Sequence, residues 1–172
     1  GALATSLHHL SPISWSDSCL ANRASAENLA RNGISASLRK LASTQTPDAP
    51  IDLVLIREPK TTALLEDQLA RLRPRLNQDT VIIAAAMVKH LQKSAFACME
   101  RYLGSVTTSL AVKKARLLFV ELDENLPQQC SPYPSEFSDA ETGLTLFNHA
   151  NVFSRDHLDH GARFLLSNYN DL

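Results

Sequence analysis

Glycine is scarce in this chain, with five residues in 172 and no two of them neighbours. A dinucleotide, a methyl donor or a nucleotide phosphate bound on an α/β sheet needs a glycine-rich turn, because the backbone must come close to the ligand. No such turn is present, unless one lies upstream of Gly1. The Gly-x-Ser-x-Gly elbow and the glycine-rich phosphate loop ending in Lys-Ser/Thr are also missing, which removes the hydrolase and NTPase readings. Cysteine is sparse as well. Cys19, Cys98 and Cys130 are scattered and form no Cys-x-x-Cys pair, so neither a disulfide framework nor a zinc site is expected and a reducing cytoplasm fits. No apolar run approaches the ~20 residues of a membrane span, and no basic segment leads into an apolar core. The single tryptophan, Trp15, reads as core rather than as a base-stacking platform.

What is present is an α/β pattern. Ile51 to Ile56, apolar except for Asp52, lies between Pro50 and Pro59, the pattern of a parallel strand buried on both faces. Leu64, Leu65, Gln68, Leu69 and Leu72 then recur at helical spacing until Pro74. Val81 to Met87 repeats the strand pattern, and Val88 to Leu103 reads as a helix burying Leu91, Ala95, Cys98, Met99 and Tyr102 before Gly104. Upstream, a helix over Gly1 to Leu10, a strand ending at Asp17, a helix from Ala24 to Ile34 with Ala26, Leu29 and Ala30 inward, and a short strand Leu38 to Ala42 are expected. Val106 to Val112 and Ala115 to Leu122, joined by Lys113-Lys114, read as a hairpin at the sheet edge. The proline-rich stretch 126–142 reads as a linker, followed by a strand at Leu144 to Phe147 and a helix at Leu158 to Leu166 that buries Leu158, Ala162 and Leu165. The alternation predicts right-handed crossovers and a mostly parallel sheet.

Charge is unevenly distributed. Residues 1–56 are neutral overall, residues 57–116 carry a net +6 and residues 117–172 a net −7. Arg71, Arg73 and Arg75 close a helix, where cations are favoured by the dipole. The remaining basic side chains fall elsewhere: Arg57 and Lys60 follow one strand, Lys89 and Lys93 follow the next, and Lys113, Lys114 and Arg116 cluster at the hairpin turn. In open α/β sheets ligands sit beyond the carboxyl ends of the strands, so these seven residues are the candidate phosphate-facing surface for RNA. Asp156-His157-Leu158-Asp159-His160 has metal-ligand residue types, but no third ligand group accompanies it. Acidic residues opening a helix are explained by its positive end, and no metal is expected.

Ala26-Glu27-Asn28-Leu29-Ala30-Arg31-Asn32-Gly33-Ile34, after the strand ending in Asp17, looks like the second βα unit of a class I methyltransferase, in which an acidic residue holds the ribose of S-adenosylmethionine. Ile56 to Leu69, Thr107 to Leu118 and above all Asn148-His149-Ala150-Asn151-Val152-Phe153-Ser154-Arg155, with Leu158-Asp159 and Gly161-Ala162-Arg163-Phe164, resemble the bacterial large-subunit ribosomal RNA methyltransferase G family. That family methylates a guanine N2 in 23S rRNA. Its small-subunit cousin, the methyltransferase C family, shares the Val-Phe-Ser-Arg segment.

The resemblance implies a Rossmann-like class I methyltransferase fold, degenerate and truncated at its N-terminus. It implies a first domain over 1–125, a linker over 126–142 and, over 143–172, the lead-in to a catalytic domain. The family's catalytic half carries a glycine-rich loop and an Asn-Pro-Pro-Phe motif, whereas the matching strand end here is Arg57-Glu58-Pro59-Lys60, with neither amide nor ring to receive a base. The expected chain is therefore non-catalytic and binds no cofactor alone, its partners being 23S rRNA and its own C-terminal catalytic domain. Val152, Phe153, Ser154 and Arg155 would lie near the cofactor and substrate pocket only in the full-length enzyme. An interaction module that docks on its own catalytic domain or on a second copy is the alternative. A methyltransferase whose glycine loop was trimmed is a third reading.

Overall fold

The computed structural model describes residues 2–35, 38–48 and 50–169, so Gly1, the first residue of the expected opening helix, lies outside them. The chain divides into two compact units, residues 1–50 and 51–172.

In the first unit, α1 (Ala2–Ser6) lies beside α2 (Cys19–Arg31), and β1 (Ile13–Trp15) pairs in parallel with β2 (Arg39–Leu41). Two side chains tie the strand ends together. Trp15 Nε1 donates to Ala42 O at 2.7 Å, and the Ser43 backbone N–H donates to Asp17 Oδ1 at 2.6 Å. Ser18 caps α2 by accepting from Ala21 N–H at 3.1 Å, so the helix begins five residues earlier than its apolar spacing suggests. Ser25 and Leu29 are its buried residues, and Ala26 and Ala30 are exposed, contrary to expectation. Ser25 can be buried because its hydroxyl donates to Ala21 O at 2.8 Å.

The second unit is built on a four-stranded sheet in the order β3 (Leu53–Arg57), β4 (Val81–Met87), β6 (Ala115–Val120), β5 (Val106–Thr108). β3 and β4 are parallel, and β6 runs antiparallel to both β4 and β5, so three strands point one way and the reversed one sits between the last two. Helices α3 (Thr62–Leu72) and α4 (Lys93–Tyr102) pack side by side. Their buried residues, among them Leu65, Leu69, Ala95 and Met99, close over Val54, Ile82, Ala84, Leu118 and Val120.

The opposite face carries Leu53, Leu55, Val81, Met87, Leu117 and Phe119, each 38 to 52% exposed. Burial of the β3 run on both faces is therefore corrected to burial on one. The cause is handedness: right-handed crossovers that proceed in one direction across a sheet lay their helices on the same side. The helix expected from Val88 onward is also interrupted. Val88–His90 forms a single 3₁₀ turn, Leu91 and Gln92 are extended, and α4 starts only at Lys93.

Past residue 122 the chain forms β7 (Ser135–Ser138) and β8 (Thr145–Asn148), an antiparallel pair, and then α5 (His160–Asn168). β7 falls inside the stretch expected to be a linker. Asp159 caps α5 by accepting from Gly161 and Ala162 N–H at 3.0 and 3.2 Å, the helix-end role inferred for these acidic residues. α5 has no buried residue, and Leu165, expected inward, is 65% exposed. No helix among the described residues is long and apolar enough to cross a membrane.

Candidate nucleic-acid interface

Strand polarity gathers the seven basic candidates at one end of the sheet. β3 ends at Arg57 beside Ala85, and Lys60 follows in the turn to α3. β4 ends at Met87, opposite Ala115, because β6 is reversed and begins where β4 finishes. The Val88 N–H donates to Lys114 O at 2.9 Å, which seats the Val88–His90 turn, with Lys89 and His90, against the hairpin turn of Lys113 and Lys114. Lys93 opens α4 on the same side. Arg57, Lys60, Lys89, Lys93, Lys113 and Lys114 are exposed, and Arg116 is half-buried. The opposite strand ends are flanked by Asp52, Asp79 and Glu121.

The hairpin turn is strained. Val112 and Ala115 exchange two backbone hydrogen bonds of 2.9 Å, leaving Lys113 and Lys114 as the two central residues, at φ +48° and +65°. Two-residue turns with positive φ at both positions favour Asn-Gly, since a side chain in the left-handed region crowds its own backbone by about 1–2 kcal/mol. Here both places hold a long cation.

Two polar atoms at this end lack partners among the described residues. Glu58 Oε2 and Arg116 Nε are buried and make no hydrogen bond. The register carries both toward the helix-covered face, on either side of Ala86. Burial lifts the Glu58 carboxyl above its usual range, opposed by the Gln92 backbone N–H that bonds it. An acid lifted on folding costs stability when ionised, so the penalty acts above the raised value and fades as pH falls toward 4.5. Replacing Glu58 with glutamine should therefore raise the unfolding temperature near neutral pH, and the difference should close below that ordinary value. Thermal unfolding across the pH range reads the effect, and an equal gap at acid and neutral pH would exclude it.

The second candidate group lies elsewhere in the same unit. Val152 and Phe153 are exposed, at 45 and 83%, and Ser154 adopts φ +54° while donating from its hydroxyl to His157 O at 2.9 Å. Arg155 is half-buried, its backbone carbonyl accepting from Asn148 Nδ2 at 2.8 Å. Among the described residues no group of three or more His, Cys, Asp or Glu side chains is placed to hold a metal ion. Cys98 is 4% exposed, and burial pushes its thiol up to about 11, as for a core side chain rather than a nucleophile.

Gly33 ends a helix, and the space beside Gly104 is filled by the chain's own backbone at Glu121 and Asp123. Asp17, the position resembling a ribose ligand, is engaged by Ser43.

Sequence reasoning missed Glu58, Glu66 and Tyr133. Glu66 accepts hydrogen bonds from Arg101, from the Tyr102 hydroxyl at 3.1 Å and from the Tyr133 hydroxyl at 3.1 Å. Its partners lie 35 to 67 residues away in the chain, so no local spacing signals the cluster.

The family described as the RLMG N-terminal domain matches residues 1–124. The ribosomal RNA large subunit methyltransferase G of Streptomyces griseus subsp. griseus is 46% identical over 172 residues, and that of Pseudomonas syringae pv. syringae is 50% identical over 168. Each match covers 96% of this chain, which spans 45% of the relative's length. Among solved structures, a 16S rRNA N2 methyltransferase of T. thermophilus, in complex with AdoMet and guanosine, aligns over 87% of this chain and 40% of its own, with TM-score 0.63 and 19% identity. A ribosomal protein L11 methylase from Lactobacillus delbrueckii subsp. bulgaricus aligns over 72% of this chain and 66% of its own, with TM-score 0.53 and 21% identity. At such identities they establish the fold alone, which is the Rossmann-like class I methyltransferase fold.

Proposed function

The chain belongs to the RLMG N-terminal domain family, and from that premise we propose that it is the non-catalytic N-terminal domain of an S-adenosylmethionine-dependent rRNA guanine-N2 methyltransferase. Its role is to grip 23S rRNA and position it for the catalytic half. In this reading residues 1–125 are the domain, 126–142 the connection and 143–172 the lead-in to the catalytic domain, and the protein works in the cytoplasm. The chain binds no cofactor alone, for want of a glycine-rich turn facing a ligand, and Val152 to Arg155 meet the substrate and cofactor only in the complete enzyme.

The observation that carries the RNA role is the Lys113-Lys114 turn. Strain of this kind persists where a function requires the residues that cause it, and this turn adjoins Lys89 at the carboxyl end of β4. Arg57, Lys60, Lys93 and Arg116 extend the cationic rim to seven side chains. Cations set along a shallow rim suit a phosphate backbone, which RNA presents irrespective of sequence.

Titrating the 172-residue chain with a 23S rRNA stem at rising salt tests this directly. Each neutralised phosphate contributes a slope of roughly 0.7–0.9 to log affinity against log salt. A slope of several units supports the role; no binding, or binding indifferent to salt, removes it.

A second reading, docking on its own catalytic domain or on a second copy without RNA contact, is favoured by the apolar side chains that α5 leaves exposed. Phe164, Leu165 and Leu166 are 72, 65 and 43% exposed. Charge reversal at Lys113, Lys114 and Arg116 separates the two, since it weakens RNA binding and leaves such docking largely intact.

A further inference from the structure

We propose that Tyr133 is a positioning residue that fixes the Val152–Arg155 loop against the α3–α4 layer. The connection between the sheet and the β7–β8 pair is held at several points rather than left loose. The Ser131 hydroxyl bonds Asp67, a side chain 4% exposed on α3, and the same hydroxyl accepts from Tyr133 N–H at 3.1 Å. Two residues along, the Tyr133 hydroxyl donates to Glu66 Oε2 at 3.1 Å. Glu66 is itself immobilised from α4, its other oxygen taken by Arg101 and by Tyr102. A carboxylate accepting from three side chains at a partly buried site makes stronger hydrogen bonds than it would in water. Burial and the neighbouring Glu66 push the Tyr133 phenol up to about 12, so it remains a donor at every physiological pH.

Tyr133 also faces the loop. The guanidinium carbon of Arg155 stands 5.2 Å from the centre of the Tyr133 ring, the geometry of a cation–π contact. Arg155 in turn organises its own surroundings. Its Nη1 donates to Ala150 O at 3.4 Å, its Nη2 pairs with Asp156 at 2.9 Å, and its carbonyl accepts from Asn148 at the end of β8. A continuous series of contacts therefore runs from Glu66 through the phenol and the ring to Arg155 and the strained Ser154. The Tyr133 hydroxyl meets the helical layer and its ring meets the loop. If the loop meets substrate and cofactor as proposed above, this is how the N-terminal domain sets their position; that consequence rests on the proposed function, and the contact itself does not.

The experiment is hydrogen exchange and NMR on the 172-residue chain carrying Tyr133→Phe, which keeps the ring and removes only the hydroxyl. Loss of one charge-assisted hydrogen bond shifts a local opening equilibrium roughly tenfold. Amides of residues 145–155 should exchange about that much faster, while those of α3 and α4 keep their protection. In Tyr133→Phe the Arg155 Nε–H resonance, shifted by the Tyr133 ring current, should move toward its position in Tyr133→Leu, which removes the ring altogether. Unchanged exchange in 145–155, or an Arg155 signal that stays in place in Tyr133→Phe, overturns the proposal. Equal acceleration across α3 and α4 overturns it too, because the tyrosine would then be a general stabiliser. A chain that fails to bind RNA yet shows the local change loses the proposed function and keeps the positioning role.

Discussion

Gly104→Ala should cost roughly 4 kcal/mol, enough to lower the unfolding temperature by about 8–16 °C in a chain of this size. Gly104 follows α4, where the chain turns into β5, and has φ +140°, a conformation that side chains rarely adopt. A β-carbon there would stand 2.2 Å from the Glu121 carbonyl oxygen and 2.7 Å from the Asp123 nitrogen. Both are backbone atoms in a crossing that cannot retreat, since Asp123 N–H donates to Leu103 O at 2.7 Å and Glu121 N–H to Ser105 O at 2.9 Å. Gly143→Ala is the control: it too has positive φ, +69°, but nothing lies within 4 Å of the added carbon. That change should cost only about 1 kcal/mol. Chemical denaturation of both variants decides the matter, and a Gly104→Ala protein as stable as Gly143→Ala would refute the crowding argument.

Lys113→Asn/Lys114→Gly separates binding from stability by moving them in opposite directions. Asparagine and glycine relax the two positive-φ positions, so the hairpin should gain about 1 kcal/mol. The same change deletes two cations from the rim, which should lower the salt slope of RNA binding by about 2 and the affinity near physiological salt by about tenfold. Most binding-deficient variants are ambiguous because the fold itself was damaged. Here the variant melts later and binds worse. Undiminished binding in that double variant would show that the turn is not part of the interface, and a lower melting temperature would show that the lysines do not strain it.

Much of this fold is legible from local pattern. The α3 stripe of Leu65, Leu69 and Leu72, the apolar run of β4 and the Lys-Lys hairpin turn follow from periodicity and turn spacing, and the coordinates bear them out. What escaped depends on distant partners. β7 reads as linker because Ser135-Glu136-Phe137-Ser138 is short, mostly polar and preceded by proline; it becomes a strand only by pairing with residues 145–148. The break at Leu91 and Gln92 follows a turn whose Val88 N–H is bonded to the hairpin, a contact that no helical periodicity reveals.

Burial of Asp67, 2% exposed, contradicts its charge until Arg71 and Ser131 are seen around it. At the candidate interface, the seven cations could be named from sequence, and so could their association with strand ends. Their convergence required knowing that β6 lies beside β4 and starts where β4 ends. The strain that singles out Lys113 and Lys114 is a property of φ alone.

The reversed strand β6 also separates the order in space from the order of synthesis. Val106–Thr108 is made before Ala115–Val120, yet its only partner among the described strands is β6, which also pairs with β4. As the polypeptide emerges during synthesis, β5 has no described strand to join until β6 has followed it. The outermost strand of the sheet therefore waits on one that is translated after it.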